Sequence, residues 1–380
     1  MPPMTSPAHP TVAGPAGRPV LVPGPLDLVA LEAEARQRMG EMAYAYFAGG
    51  AEHERLLAEN VAAWAELRLH PRVLVDVSKV DTATTVLGTP VSSPVLIAPT
   101  AFQCLADPDG EVAMARGAAA AGTVMVLSSL STTALEQVAA VGGPTWMQIY
   151  VLRQRARTVE LVERAAAAGF SALVLTVDAP VSGVRLRELH GGVRLPDGLG
   201  LPNLDPASTE RAREAGFMAV VTESFDPSIT YDDIGWLAGL SGLPVVVKGV
   251  VRGDDARRCA EAGAAAVVVS NHGARQLDDA PPTAAVLAEV VDALDGQAEV
   301  YVDGGLRRAG DVAKALALGA RAVMVGRPAL WALGTGGHQG VRALVDWFGN
   351  ELARTMALCG APNVAQLDRT LVRRTTGGPL

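Results

Sequence analysis

Apolar residues follow two rhythms along this chain. Between residues 26 and 66 they recur every three or four positions. LDLVALEAEARQRM reads as an amphipathic helix with Asp27 near its start, and EMAYAYFAGGAEHERLLAENVAAWAEL as a second helical stretch broken at Gly49 and Gly50. An irregular extended piece runs on to about Pro90. From Pro94 the rhythm changes to short runs rich in Val, Ile and Leu, each followed by an Ala-rich helical pattern. The runs are PVLIAPT (94–100), VMVLSS (124–129), TWMQIY (145–150), ALVLTVD (172–178), PVVVKGV (244–250), AVVVSN (266–271), EVYVDGG (299–305) and AVMVGR (322–327). Helical patterns between them include VAMARGAAAAG, TALEQVAAV, RTVELVERAAAAG, DDARRCAEAG, TAAVLAEVVDALDG and GDVAKALALG.

Nearly continuous apolar strands alternating with amphipathic helices predict a parallel sheet covered on both faces. Eight such units suit a closed (β/α)8 barrel of the TIM type better than an open doubly wound sheet. No GxGxxG follows the first strand, which weakens a dinucleotide-binding fold. One interval breaks the rhythm, 179–243, far longer than one helix and two turns. Its segment HGGVRLPDGLGLPNLDPAS has the composition of a loop, so this interval after strand four is expected to form a lid. The domain organisation expected is a disordered Pro-rich arm over 1–25 and one barrel domain over 26–380, its N-terminal helices forming a cap.

Charge and composition narrow the classes. A formal net charge of −8 gives no electrostatic reason to seek nucleic acid or anionic membrane. Any anion must be held by local Arg and Lys clusters. Three widely spaced cysteines without a CxxC argue against a disulfide framework or a zinc site, and fit a reducing cytoplasm. No metal site is expected. No apolar run approaches the roughly 20 residues of a membrane helix, and the Pro-rich start lacks the form of a secretory signal.

In a barrel of this kind the active site lies at the C-terminal ends of the strands. Those ends carry polar and charged residues that core packing alone would not place there. Asp303-Gly304-Gly305 with Arg307 after the seventh strand, and Gly326-Arg327 after the eighth, suit a phosphate: glycine lets backbone approach an anion and arginine supplies forked donors. After the sixth strand, His272 and Arg275 in SNHGARQLD suit a base beside a carboxylate anchor. Lys248 closes the fifth strand, placed either for a Schiff base or beside an electron-rich cofactor.

Taken together, SNHGARQLD, LVLTVDAP, VVVKGV, VDGGLRR and VGRP resemble the FMN-dependent 2-hydroxy acid oxidising enzymes: glycolate oxidase, lactate oxidase, mandelate dehydrogenase and the flavin domain of flavocytochrome b2. The similarity runs from about Leu26 to Cys359. It implies FMN as cofactor and a role for each matching residue. His272 would be the base, Asp178 would orient and stabilise its protonated form, and Tyr150 would contact the substrate hydroxyl. Arg275, Arg185 and Tyr46 would hold the carboxylate. Backbone at Ala98, Pro99, Thr100 and Ala101, with Ser128, Gln148 and Thr176, would hold the isoalloxazine. Lys248 would stand near flavin N1 and O2, and Asp303, Gly304, Gly305, Arg307, Gly326 and Arg327 would hold the ribityl phosphate.

Two departures from that pattern bear on specificity. Val184 stands where much of the family has the first arginine of a pair, and Leu130 where glycolate oxidase has a tryptophan. Val184 removes one basic group from the lid, and Leu130 with Phe102 predicts a roomier, more apolar site for a side chain larger than that of glycolate. The resemblance implies the (S) enantiomer, and the short polar lid segment favours oxygen as acceptor with hydrogen peroxide as product. A quinone or protein acceptor, or an oxidative decarboxylation, are the alternatives within the family. The resemblance also implies a homotetramer.

Overall fold

The computed structural model describes residues 26–375, with two dipeptide strands, Val12–Ala13 and Pro19–Val20, paired antiparallel ahead of them. The disordered arm expected over 1–25 otherwise lies outside the described residues, as do 376–380.

All eight apolar runs form strands: β1 (Val95–Ile97), β2 (Met125–Leu127), β3 (Thr145–Ile149), β4 (Leu173–Thr176), β5 (Val245–Val250), β6 (Ala266–Val269), β7 (Glu299–Val302) and β8 (Ala322–Val325). They pair in parallel, each with its sequence neighbours, and β8 closes onto β1. Side chains alternate between two buried layers, so most strand positions are apolar. Leu96, Val126, Trp146, Val174, Val246, Val268, Tyr301 and Met324 fill the barrel interior. Their neighbours, such as Ile97, Leu127, Met147 and Leu175, pack outward against the helices. Trp146 and Tyr301 meet inside with ring centroids 5.6 Å apart; truncating such a buried ring to alanine costs about 3–5 kcal/mol.

The cap helices position the mouth of the barrel. Helix Leu28–Ala48, capped by Asp27 and bent where Gly40 turns to φ 78°, packs on the long helix Arg327–Leu358 and delivers Tyr46 and Phe47 to the rim. The second cap helix, Arg55–Glu66, is tied to two strand ends: Trp64 Nε1 donates to Gly304 O at 2.8 Å, and the side-chain amides of Asn60 and Asn271 exchange hydrogen bonds at 2.8 and 3.0 Å. Gly305 lies so close to this helix that a Cβ would sit 2.1 Å from Asn60 O, which requires glycine there.

The interval after β4 contains more helix than its composition predicts. Helices Leu186–Gly191, Pro206–Glu214, Phe217–Ser224 and Asp232–Ser241 leave 192–205 as the main loop. The signal lay in Asp205-Pro206: Asp205 caps by accepting from Ser208 N at 3.0 Å, and proline occupies the first turn.

Candidate active site

The C-terminal strand ends converge on one cleft, open to solvent, enclosing about 1230 Å³ with its mouth. Its lining combines polar strand-end groups with aromatic and aliphatic side chains, the mixture a ring cofactor and a small acid require. Every residue expected at the site lines this cleft except Asp178, which stands directly behind His272.

His272 owes its position to a rare backbone path. His272, Gly273 and Ala274 are all left-handed, with φ of 58°, 62° and 64°; such a run persists only where surroundings hold it. Here Ala274 O accepts from Ala51 N at 2.7 Å, and Ser270 Oγ accepts from His272 N at 3.1 Å. The turn aims the imidazole into the cleft. Its Nδ1 lies 2.8 Å from Asp178 Oδ1, and its Nε2 is 3.5 Å from the Tyr150 hydroxyl. With Nδ1–H donating to the carboxylate, the Nε2 lone pair faces the cleft. Burial opposes the charge on Asp178 most strongly, yet His272, its hydrogen bond and Lys248 together hold the carboxyl below the usual carboxylate range.

A bulge connects this pair to β5. The register slips between Lys248 and Val250, and Gly249, at φ 114°, carries no Cβ where one would meet Asp178 Cβ at 2.6 Å. Lys248 is thereby turned inward and buried. Its ammonium reaches Ser270 Oγ at 2.9 Å and Asp303 Oδ2 at 3.2 Å. Burial disfavours its charge, but Asp303 and Asp178 outweigh that and raise its pKa. Gln148 is likewise fixed: its Oε1 accepts from Ser129 N at 3.1 Å and Ser128 Oγ at 3.3 Å, and its Nε2 donates to Thr176 Oγ1 at 3.1 Å. With Ala98 to Ala101, these groups form one polar floor.

Two pairs of arginines face the cleft. Arg307 and Arg327, beside Gly304–Gly305 and Gly326, make only backbone contacts among the described residues. Arg327 donates to Phe47 O at 2.9 Å, Gly49 O at 2.7 Å and Gly273 O at 2.9 Å, and Arg307 to Leu306 O at 2.9 Å. Burial, with Arg275 and Arg307 nearby, pushes Arg327 down to about 9, and burial also lowers Arg307. Two part-buried guanidinium groups without a carboxylate partner among the described residues, Arg327 at the start of the helix Arg327–Leu358, fit a phosphate. Asp303 differs from its neighbours: one oxygen pairs with Lys248, and the other, buried, has no partner among the described residues. A carboxylate repels phosphate, so Asp303 suits the hydroxyls of a ribityl chain rather than its terminus. The cleft therefore has places for both ends of FMN.

The second pair, Arg275 and Arg185, is built differently. Arg275 Nη1 donates to Tyr46 O and Gly49 O, both at 2.8 Å, its Nη2 donates to Glu188 Oε1 at 3.0 Å, and its guanidinium lies 4.9 Å from the centre of the Tyr46 ring. Arg185 also pairs with Glu188. Burial pushes the Tyr46 hydroxyl up to about 12, so it stays a hydrogen-bond donor at any working pH.

Several residues in and around the cleft escaped the sequence reading. Helix Phe217–Ser224 brings Phe217 and Val221 over the cleft, and Phe225 follows. Phe217 stacks on Phe102 at 3.8 Å between centroids and Phe225 on Tyr150 at 4.1 Å; Leu130 completes the apolar wall. Gln276 binds the lid root, its Nε2 donating to Asp178 O at 3.0 Å and Val181 O at 2.9 Å while its Oε1 accepts from Gly183 N at 3.1 Å. Glu188 was missed as well, and it alone had a legible signal, its i,i+3 spacing from Arg185.

Such a barrel, with a polar floor, a phosphate-ready rim and a His–Asp pair, defines a flavin-binding oxidoreductase. Residues 35–374 match the family described as FMN-dependent dehydrogenase. The chain belongs to that family, and FMN is its cofactor. It is 47% identical over 360 residues to L-lactate oxidase from Nostoc sp., covering 92% of this chain and 99% of that one. Glycolate oxidase 3 from Arabidopsis thaliana is 45% identical, with 89% of this chain and 93% of the relative covered. A crystal structure of mandelate oxidase with (S)-4-hydroxymandelic acid superposes with a TM-score of 0.86 at 42% identity, covering 90% of this chain and 97% of that one.

Proposed function

We propose that this enzyme oxidises an (S)-2-hydroxy acid bearing a side chain larger than that of glycolate to the 2-oxo acid, with oxygen as the final acceptor and hydrogen peroxide as the second product. The observation that carries this reading is that His272, backed by Asp178 and beside Tyr150, lines the same cleft as Arg275 and Arg185. FMN, when bound, supplies the two-electron acceptor. Arg275, Arg185 and the Tyr46 hydroxyl hold the carboxylate; fixing the acid this way converts encounter into a positioned contact and contributes several kcal/mol. The Tyr150 hydroxyl meets the substrate oxygen, and His272 Nε2 accepts the proton. Asp178 stabilises the resulting imidazolium, and general base catalysis of this kind is worth about 10²–10⁴-fold. Lys248, Gln148, Ser128 and Thr176 bind the flavin ring, and Arg307, Arg327, Gly304, Gly305 and Gly326 its phosphate, with Asp303 on the ribityl chain.

The apolar wall of Phe102, Phe217, Phe225, Val221 and Leu130 supports the larger side chain, aliphatic or aromatic. The relatives named lactate, glycolate and mandelate oxidases support oxygen as acceptor. A cytoplasmic location agrees with three cysteines that are all free thiols, and four copies per assembly is the state to be checked by light scattering. The deciding experiment is product analysis in air across a panel from glycolate through lactate to mandelate. Equal amounts of 2-oxo acid and peroxide, with the larger acids preferred, are expected. The acid one carbon shorter would mean decarboxylation, 2-oxo acid formed only with an added quinone would mean a dehydrogenase, and a sharp optimum at glycolate would overturn the predicted side chain.

A further inference from the structure

Glu188 is a buried carboxylate inside what is proposed as an anion site. It is 6% exposed, on the short lid helix Leu186–Gly191, and one of its oxygens meets both Arg275 and Arg185. Arginine carries five N–H donors. On Arg275, two go to the carbonyls of Tyr46 and Gly49 and one to Glu188. That leaves two donors, the number a carboxylate takes in a bidentate pair. Glu188 also cancels one of the two guanidinium charges, so the cluster keeps a single net positive charge.

We propose that Glu188 is a positioning and specificity-determining residue that matches the site to monoanionic acids. The proposal rests on the function proposed above. The Glu188 carboxylate holds Arg275 with the free donors turned to the cleft, and its charge leaves room for one anionic group only. A ligand with a second carboxylate meets a buried like charge, which is repelled with little screening. The same charge keeps the 2-oxo acid product from binding too firmly to leave. Removing the charge while retaining the shape should therefore tighten anion binding; a residue serving only as a brace would weaken it when changed.

The test uses the FMN-loaded enzyme and its E188Q and E188A variants, with equilibrium binding read from perturbation of the flavin absorbance. The probes are phenylglyoxylate, a monoanion, and oxalate, a dianion. E188Q keeps the side-chain shape and removes only the charge, and E188A removes both. E188Q should bind phenylglyoxylate about tenfold tighter and oxalate about a hundredfold tighter at low salt, since the electrostatic gain scales with ligand charge. Turnover should fall in parallel with KM as product leaves more slowly. E188A, which frees Arg275, should lose part of that gain. Unchanged or weaker binding by E188Q with an intact flavin spectrum, or equal gains for both probes, would overturn the proposal. If neither probe perturbs the parent enzyme's flavin, the function reading itself fails, and the proposal with it.

Discussion

The two arginine pairs at the rim of this barrel are wired in opposite ways. Arg307 and Arg327 meet only backbone carbonyls among the described residues, and burial holds both below their ordinary pKa. Arg275 and Arg185 share the carboxylate of Glu188. Partly desolvated charge without a partner is costly, so on the proposed reading the first pair would gain most from a ligand that stays, carrying two negative charges. The second pair already has a counter-charge and on the same reading would exchange a singly charged ligand at each turnover. On the function proposed above, one fold would keep a cofactor and release a product with the same side-chain chemistry.

The sharpest way to break this contrast is to remove one arginine from each pair. R275A should lower kcat/KM by about 10³, the effect of truncating a buried charge contact worth roughly 2–5 kcal/mol, while FMN remains bound; stopped-flow reduction and the flavin spectrum read both. R327A should do the reverse. Its FMN affinity, followed by fluorescence quenching, should fall by about 10², and turnover should return to within several-fold of normal at saturating FMN. Loss of flavin in R275A, or a kcat defect in FMN-saturated R327A, would dissolve the distinction.

Asp178 belongs to neither pair, and D178N should cost about tenfold to a hundredfold in kcat through the imidazolium it no longer stabilises. Its folded pKa is lowered, despite the opposing effect of burial. Its stabilisation is therefore complete above the unfolded value of about 3.9 and is lost as pH falls through the depressed folded one. Acid unfolding followed by circular dichroism should show this component in the parent enzyme and lack it in D178N. The smallest effect is expected from L130W, which fills the apolar wall and should shift kcat/KM towards glycolate by about tenfold relative to mandelate; an unchanged ratio would remove Leu130 from the side-chain pocket.

The barrel was legible because burial on both faces makes its strands continuous apolar runs; PVVVKGV and AVVVSN could hardly serve elsewhere. The strand-end residues were legible for the complementary reason, since a lysine or histidine at the end of such a run has no packing role. The lid was harder. Phe217, Val221 and Phe225 carry no motif, and their place over the cleft depends on a helix whose own sequence, FMAVVTES, packs wherever the chain folds back. Glu188 precedes the segment read as loop, and its i,i+3 spacing from Arg185 signals one ion pair but not burial, since carboxylates normally face water. Only the fold puts it between two guanidinium groups. Asp303 shows the same limit: its sequence neighbours suggested phosphate, and its carboxylate instead pairs with Lys248 across the barrel.

The most direct test of the proposed chemistry is anaerobic mixing of the yellow enzyme with 2-hydroxy acids, followed by admission of air. The flavin absorbance should bleach with lactate or mandelate faster than with glycolate, then recover in air with release of peroxide. An enzyme that holds FMN yet stays yellow with every acid would contradict the proposed reaction, leaving only the fold and the cofactor in place.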